Sequence, residues 1–330
     1  MSSFKAYRIH QEGKGVRAGF ETMDIGELSA GDVVVQVAYS CINYKDALAA
    51  TGQGRILRQY PLNGGIDMAG RVVSSQTDQF TPGDAVLCCG MGMSETRDGG
   101  YAEYVRLNAE HLQKLPQGLS LRDAMAIGTA GFTAAIAVQR MEDNGQIPSN
   151  GPIVVTGATG GVGSFAISMF AGLGYEVLAY TGKMQQREYL LSLGASDLID
   201  RHSVDFGSRP LESARWGGAV DNLGGETLNW LTRTVKPWGN IASIGLAAGI
   251  ELNTTVMPLI LRGVSLLGIN CLELPDSMRQ RCWARLGDDL RAPLDLIAPR
   301  TITFDELPQA FDDFISARHS ARTVVAINPD

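Results

Sequence analysis

The sequence predicts an α/β chain of two domains, a doubly wound parallel-sheet domain and a discontinuous β-barrel domain. Three observations predict it. An apolar strand, Ile153-Val154-Val155-Thr156, runs into the glycine-dense loop 157–163 and then into a helix. Strand-like and helical segments alternate from there to about residue 270. Before that stretch, and again after about Arg300, the chain reads as short strands broken by turns. The expected limits are 1–123 with 298–330 for the barrel domain, and 124–297 for the parallel-sheet domain.

In the N-terminal third, Asp32–Tyr39 and Gly70–Ser74 are strand-like. Thr81-Pro82-Gly83-Asp84 is a turn that leads into Ala85–Cys88, and Gly99–Val105 resumes a strand after a loop. Short strands with frequent turns predict a compact barrel. From about Leu121 the character changes: Asp123–Val138 is a small-residue helical region, and Ser149-Asn150-Gly151-Pro152 breaks the chain. Later strands are expected at Glu176–Tyr180, Asp197–Asp200, Gly218–Leu223, Gly239–Gly245 and Val264–Ile269. The tail carries Thr301–Phe304, a helix near Leu307–Ala317 and Thr323–Ile327. Being too short to stand alone, it is expected to fold back onto the N-terminal domain.

A length of 330 residues allows two full cores, and 45% hydrophobic against 19% charged residues fits a folded globular chain. No apolar run is expected to reach the ~18 residues of a membrane helix. The segment Met1–Ala6 lacks a signal-peptide apolar core, so no export is expected. With 35 acidic and 28 basic residues the net charge is −7, which offers nucleic acid no broad attraction. Cys41, Cys88, Cys89, Cys271 and Cys282 show no framework spacing, which suggests reduced thiols in the cytoplasm. The adjacent Cys88-Cys89 pair does not make a C-x-x-C site and reads as structural filler.

The glycine loop carries the first functional inference. After it, Val162, Phe165, Ala166, Met169, Phe170 and Leu173 line one helix face, Gly174 is a plausible C-cap, and Glu176–Tyr180 reads as the next parallel strand. Strand, glycine loop and helix in that order form a diphosphate cradle, with backbone accessible and helix N–H groups free. The register Ala158-Thr159-Gly160-Gly161-Val162-Gly163 departs from G-x-G-x-x-G by an alanine at the first glycine. An acidic residue at the end of the second strand would hold an NAD ribose. Here that strand ends Ala179-Tyr180-Thr181-Gly182-Lys183, with no acid before Glu188. A hydroxyl and an ammonium would hold a 2′-phosphate, so Thr181 and Lys183 favour NADPH, with Arg201 as a second cation.

A β-rich barrel, a six-strand nucleotide domain and a returning tail resemble the medium-chain dehydrogenase/reductase superfamily over nearly the whole chain. Zinc alcohol dehydrogenases of that group place a catalytic cysteine after the first long strand and a Gly-His-Glu motif later. In Ser40-Cys41-Ile42-Asn43-Tyr44-Lys45-Asp46, Asn43 stands at the cysteine position, and in Gly64-Gly65-Ile66-Asp67, Ile66 replaces the histidine. Isoleucine cannot ligate zinc and asparagine is a poor ligand. Cys41 is displaced by two residues, and His10, His111, His202 and His319 lie in unrelated segments, so no metal is expected.

Asn43–Asp46, Gly65–Asp67, Ile127–Ala134 and Thr156–Gly163 together resemble the zinc-free quinone oxidoreductase branch, and within it the acryloyl-CoA reductase subgroup. Thr254–Pro258, Ile260–Arg262 and Arg322–Val325 match as well. Asn63-Gly64-Gly65 and Ser320-Ala321-Arg322 depart from the family pattern, which has a proline before the glycine and a Gly-Arg. The resemblance implies a Rossmann domain with a GroES-like barrel domain. It also implies NADPH-dependent reduction of a double bond conjugated to a carbonyl, as in acryloyl-CoA giving propanoyl-CoA.

The implied catalytic edge is Asn43, Tyr44 and Asp67. Asn43 and Tyr44 could donate hydrogen bonds to the developing enolate, and Tyr44 could instead pack on the nicotinamide. Loop capping is the competing role for Asn43. Asp67 is expected to orient Lys45 or a backbone group, or to sit in a buried salt bridge, and Arg322 to touch substrate or hold the tail. Cofactor contacts implied by the resemblance fall on Tyr44, Thr133, Thr159, Gly160, Gly161, Val162, Thr181, Gly182, Lys183, Arg201, Leu246, Ile260 and Cys271. Arg55, Arg58 and Arg262 are available for a CoA chain. A small-molecule substrate, either an enoyl-CoA or a quinone, is expected, without nucleic acid or membrane. A homodimer through the exposed edge Val264–Ile269 is expected too. The alternatives are quinone reduction and a non-catalytic NADPH-binding protein.

Overall fold

The computed structural model describes residues 3–316 and 321–329. The chain forms two units, Met1–Thr129 with Leu294–Asp330, and Ala130–Pro293. The division falls at 129/130 and 293/294 in place of 123/124 and 297/298, because the opening turns of the long helix belong to the first unit. Ala317, His319 and Ser320, which the sequence reading placed in a helix end and a family departure, lie outside the described residues.

The first unit carries β1 (Phe4–Glu12), β2 (Gly15–Met23), β3 (Val33–Ile42), β4 (Leu62–Asn63), β5 (Asp67–Ser75), β6 (Ala85–Cys89), β7 (Tyr104–Leu107) and β8 (Gln113–Lys114). Helix α1 (Tyr44–Thr51) follows β3, and α2 (Leu121–Asp143) leaves the unit. The second unit carries β9 (Ile153–Thr156), helix α3 (Gly161–Gly172), β10 (Val177–Thr181), β11 (Asp197–Asp200), β12 (Trp216–Asp221), β13 (Val235–Ser243) and β14 (Ser265–Gly268). The returning tail adds β15 (Arg300–Thr303) and β16 (Thr323–Ala326) to the first unit.

In the first unit β2-β1-β4 form a small sheet, and β15-β16-β3-β5-β6-β8 form a larger one in which β7 also pairs with β3. β16 runs antiparallel to β3, with Val324 opposite Cys41, so the tail folds back as expected. Its side chains enter the core: Ile302, Phe304, Leu307, Phe311 and Val325 pack with Tyr7, Ile42 and Tyr101. A second cluster joins Val33, Val35 and Val37 of β3 to Met68 and Val72 of β5 and Val86 of β6. The strand expected over Gly99–Val105 begins only at Tyr104. Gly99 and Gly100 instead lie against the backbone of residues 64–67, where an added Cβ would come within 2.2–2.3 Å of Gly65 and Asp67 oxygens. That leaves Tyr101 buried, its hydroxyl donating to the Cys41 carbonyl at 2.9 Å.

The second unit is one sheet in the order β11-β10-β9-β12-β13-β14, all neighbours parallel. This is the doubly wound order with a switch point between β9 and β12. β9 is buried on both faces, as a sheet covered by helices requires. Helix α2 begins at a reciprocal Ser120–Asp123 cap and is interrupted at Gly128 (φ 48°, ψ −161°). Contrary to the sequence expectation, α2 is long and apolar enough to cross a membrane. Yet 83% of its most apolar window is buried inside the molecule, which is the condition of a core helix.

Candidate active site

Asn43 closes the head of α1 from an extended conformation (φ −109°, ψ 159°). Its backbone N–H donates to Asp46 Oδ2 at 2.8 Å, and its side-chain amide donates to the same atom at 3.1 Å and to Asp67 Oδ2 at 2.9 Å. Of these, the backbone bond belongs to the cap that an Asn-x-x-Asp sequence allows. Asp46 Oδ1 also accepts the Ile66 N–H at 2.9 Å, which ties α1 to the strand entry at β5. Asp67, fully buried, accepts from Cys41 Sγ at 3.1 Å and from the Thr129 N–H at 2.9 Å and hydroxyl at 2.5 Å.

This geometry redistributes the expected roles. Both N–H groups of the Asn43 amide are directed at carboxylates inside the unit, which favours its capping role. Lys45 pairs with Glu95 and not with Asp67. Asp67 does orient backbone and side-chain groups, those of Thr129 and Asn43. Tyr44 stands apart from the cluster with 62% of its surface exposed, so its hydroxyl is available to a ligand.

Arg322, expected at the substrate or the tail, is buried. Its Nε donates to the Ala126 carbonyl at 2.8 Å, Nη1 to Asn43 Oδ1 at 3.3 Å, and Nη2 to Cys41 Sγ at 3.1 Å. Burial pushes Asp46 up to about 7, with the nearby Asp67 carboxylate adding to the effect against the hydrogen bonds it accepts. Burial also pushes the Cys41 and Cys89 thiols and the Tyr101 phenol well up, so all three are neutral. Ile66, at the zinc-histidine position of the zinc enzymes, offers the cluster only its backbone N–H. Among the described residues no three His, Cys, Asp or Glu side chains are grouped to hold a metal ion.

In the second unit, Gly157 turns out of β9 with φ 58°, and Gly163 packs so tightly that a Cβ would lie 2.5 Å from the Gly157 oxygen. Gly160 caps α3 without any side-chain hydrogen bond, so the first-turn N–H groups face outward for an anion. Gly160 is exposed, and Thr159, Gly161 and Val162 are half-buried around it. The Thr181 carbonyl accepts the Arg201 N–H at 3.0 Å, and its hydroxyl accepts the Lys183 N–H at 3.0 Å. Arg201 is thereby drawn over Gly182, where a Cβ would meet its Nε at 2.5 Å. Lys183 and Arg201 are both exposed, so the edge gathers two cations; β10 itself ends without an acid, and Asp200, opposite Thr181 at the end of β11, accepts the His202 N–H at 3.0 Å.

Leu246 and Ile260 are exposed, Cys271 is half-buried, and Thr133 is buried in α2. Arg262 is not available for a CoA chain: it donates to the backbone carbonyls of Arg233, Val235 and Glu212, whereas Arg55 and Arg58 are exposed. Sequence reasoning missed Asp221, a buried acid at the end of β12 that accepts the Thr156 hydroxyl at 2.8 Å and the Gly224 N–H at 2.8 Å. Asn222 completes the link by donating to the Thr156 carbonyl at 2.7 Å, fixing the floor of the glycine loop. The available signal was a lone carboxylate ending an apolar strand. Also missed were Asp46 and Thr129, although Asn43-x-x-Asp46 is legible as a cap.

Residues 29–117 match the family described as alcohol dehydrogenase GroES-like domain, and residues 161–286 match zinc-binding dehydrogenase. The probable acrylyl-CoA reductase AcuI of Escherichia coli is 44% identical over 96% of this chain and 98% of its own length. The chain belongs to the medium-chain dehydrogenase/reductase family. Within that family it falls in the group of acrylyl-CoA reductases and quinone oxidoreductases: the putative quinone oxidoreductase YhfP of Bacillus subtilis is 43% identical over 98% of this chain and 99% of its own. The B. subtilis protein, crystallised with NAD, superposes with a TM-score of 0.96 at 42% identity, covering 99% of this chain and 100% of that one. The yhdH oxidoreductase of Salmonella enterica, crystallised with NADP, gives 0.94 at 42% identity, covering 98% and 99%. As a member of this family the chain has its two folds, the GroES-like and the Rossmann-like, while Asn43 and Ile66 depart from the zinc-binding members.

Proposed function

We propose that this chain uses NADPH to reduce the activated double bond of a small enoyl thioester, with acryloyl-CoA giving propanoyl-CoA. The observation that carries the reading is the end of β10, where Thr181, Lys183 and Arg201 gather a hydroxyl and two cations while β10 itself supplies no carboxylate and the neighbouring Asp200 of β11 is engaged by the His202 N–H. A 2′-phosphate fits such a set, and an acid would repel it. The outward N–H groups at Gly161 and the open Gly160 suit the diphosphate. The choice of thioester follows the acrylyl-CoA reductase relative.

When bound, NADPH would supply a hydride to the β carbon, leaving negative charge on the thioester oxygen until the α carbon takes a proton from solvent. The exposed Tyr44 hydroxyl at the head of α1 donates a hydrogen bond to that oxygen. Asn43 acts from behind, through the cap that fixes where Tyr44 starts the helix. Exposed Arg55 and Arg58 hold the CoA phosphates as paired cations. Five free cysteines, four of them buried, fit the cytoplasm. Quinone reduction is the second reading, favoured by the B. subtilis relative.

Initial rates of NADPH oxidation with acryloyl-CoA and with simple quinones decide between them. Faster turnover of acryloyl-CoA is expected, and a Lys183→Glu variant should bind NADPH about tenfold more weakly or worse, a charge-assisted hydrogen bond being worth ~1.5–3 kcal/mol. Equal or better quinone turnover overturns the thioester assignment. No turnover of either leaves a non-catalytic nucleotide-binding protein, and a preference for NADH overturns the cofactor reading.

A further inference from the structure

Helix α2 breaks at Gly128, and a broken helix leaves carbonyls at one end and N–H groups at the other without partners. Here both ends are met by buried ions. Arg322 donates from Nε to the Ala126 carbonyl at 2.8 Å and from Nη2 to the Met125 carbonyl at 3.5 Å, closing the carbonyl end with a cation. Asp67 accepts the Thr129 N–H at 2.9 Å, closing the following N-terminal end with an anion. The two ions converge where position 128 has no side chain. A Cβ there would lie 2.5 Å from Arg322 Nη2, 2.7 Å from Cys41 Sγ and 2.9 Å from Asp67 Oδ2.

The same guanidinium reaches the head of α1. Its Nη1 donates to Asn43 Oδ1 at 3.3 Å, while the Asn43 amide donates to Asp46 and Asp67. The amide is therefore held at both its oxygen and its nitrogen, and only one orientation satisfies all its partners. Among the described residues gathered here, Arg322 is the sole cation. Asp46 from α1 and Asp67 from β5 are acids, and Cys41 from β3, Cys89 from β6 and Tyr101 are neutral. A planar fork can span a helix end and an amide oxygen at once, which a single ammonium cannot.

We propose that Arg322 is a positioning residue for the reaction: lodged in the space left by Gly128, it locks the broken helix end to the Asn43 amide and so fixes the edge that presents Tyr44. The proposal rests on the reductase reading for its kinetic effect, but the lock itself is independent of turnover. Arg322→Lys and Arg322→Ala test it. Backbone amide exchange at residues 126–130 and 43–47 should quicken at least tenfold in both variants, whatever the enzyme's substrate. With acryloyl-CoA, kcat should fall about a hundredfold, the scale of a 1 Å misplacement, while the affinity for NADPH stays within twofold of native. Millimolar guanidinium should restore a measurable part of kcat in Arg322→Ala and none in Arg322→Lys, where the ammonium fills the space.

Native amide exchange in Arg322→Lys overturns the proposal. So does a native kcat in that variant, or a loss of NADPH affinity equal to the loss of kcat, which would report general unfolding. If the native protein turns over no enoyl thioester, the reductase reading fails and the exchange result alone judges the lock. An Arg322→Ala chain that does not fold leaves Arg322→Lys to decide.

Discussion

At the residue scale, Asp46 carries the sharpest consequence. Its carboxyl accepts three N–H bonds, which favour ionisation, yet burial beside Asp67 outweighs them and pushes it up to about 7. An ordinary unfolded Asp titrates near ~3.9. The folded protein therefore binds one proton more than the unfolded chain between those two values, and stability falls as pH rises through that window. The slope contributed is at most ~1.4 kcal/mol per pH unit, and it vanishes above the folded value. Urea titrations from pH 4.5 to 8 should show this loss levelling off near neutrality. Infrared spectra should show a protonated carboxyl band that disappears with a midpoint of about 7 and is missing in Asp46→Asn. A band absent at pH 5 would show that the hydrogen bonds win. The family resemblance pointed to Asn43, Tyr44 and Asp67, and the structure brings the Asn43 amide to the Asp67 carboxylate at 2.9 Å. That Lys45 turns to Glu95 and Asp67 to Thr129 was not legible, because both partners lie far along the chain and only packing brings them together.

At the scale of elements, the glycine loop was legible because one short window holds strand, turn and helix. Its tightness was not. Gly163 lies where a Cβ would approach the Gly157 oxygen to 2.5 Å and the Ala158 Cα to 2.8 Å, all backbone atoms that cannot swing aside. Gly163→Ala must push α3 away from the Gly157-Ala158 backbone, an overpacking cost of ~1–3 kcal/mol. The same shift displaces the first-turn N–H groups from the diphosphate. The expected result is a lower urea midpoint together with weaker NADPH binding by isothermal titration. Unchanged affinity in a destabilised variant would separate the packing of α3 from its role as an anion site. Helix α2 shows the opposite limit of sequence reading. Its small residues announced a helical region, but the break at Gly128 lies against Arg322 and Asp67, which stand far off in the chain. The strand expected over Gly99–Val105 failed for the same reason, since close backbone contact replaced strand pairing there.

For the whole molecule, the sheet of the second unit leaves one consequence open at β14. This strand is the outermost of the six and pairs only with β13. An edge strand offers a row of unpaired N–H and C=O groups, which proteins cover, charge or pair with a second copy. Charge is absent from Ser265-Leu266-Leu267-Gly268, and the preceding segment exposes Leu259, Ile260 and Leu261. A two-fold axis beside β14 would set the same strand of two copies antiparallel and bury these leucines, as an isologous contact requires. Light scattering should therefore read twice the 35.3 kDa of one chain. Leu266→Lys places a charge on the edge, where it meets its own copy across the axis, and should shift the mass towards a single chain at low concentration. A native mass of one chain ends the pairing argument. A dimer indifferent to Leu266→Lys moves the interface off this edge, and the exposed Leu259–Leu261 segment then becomes the face to substitute next.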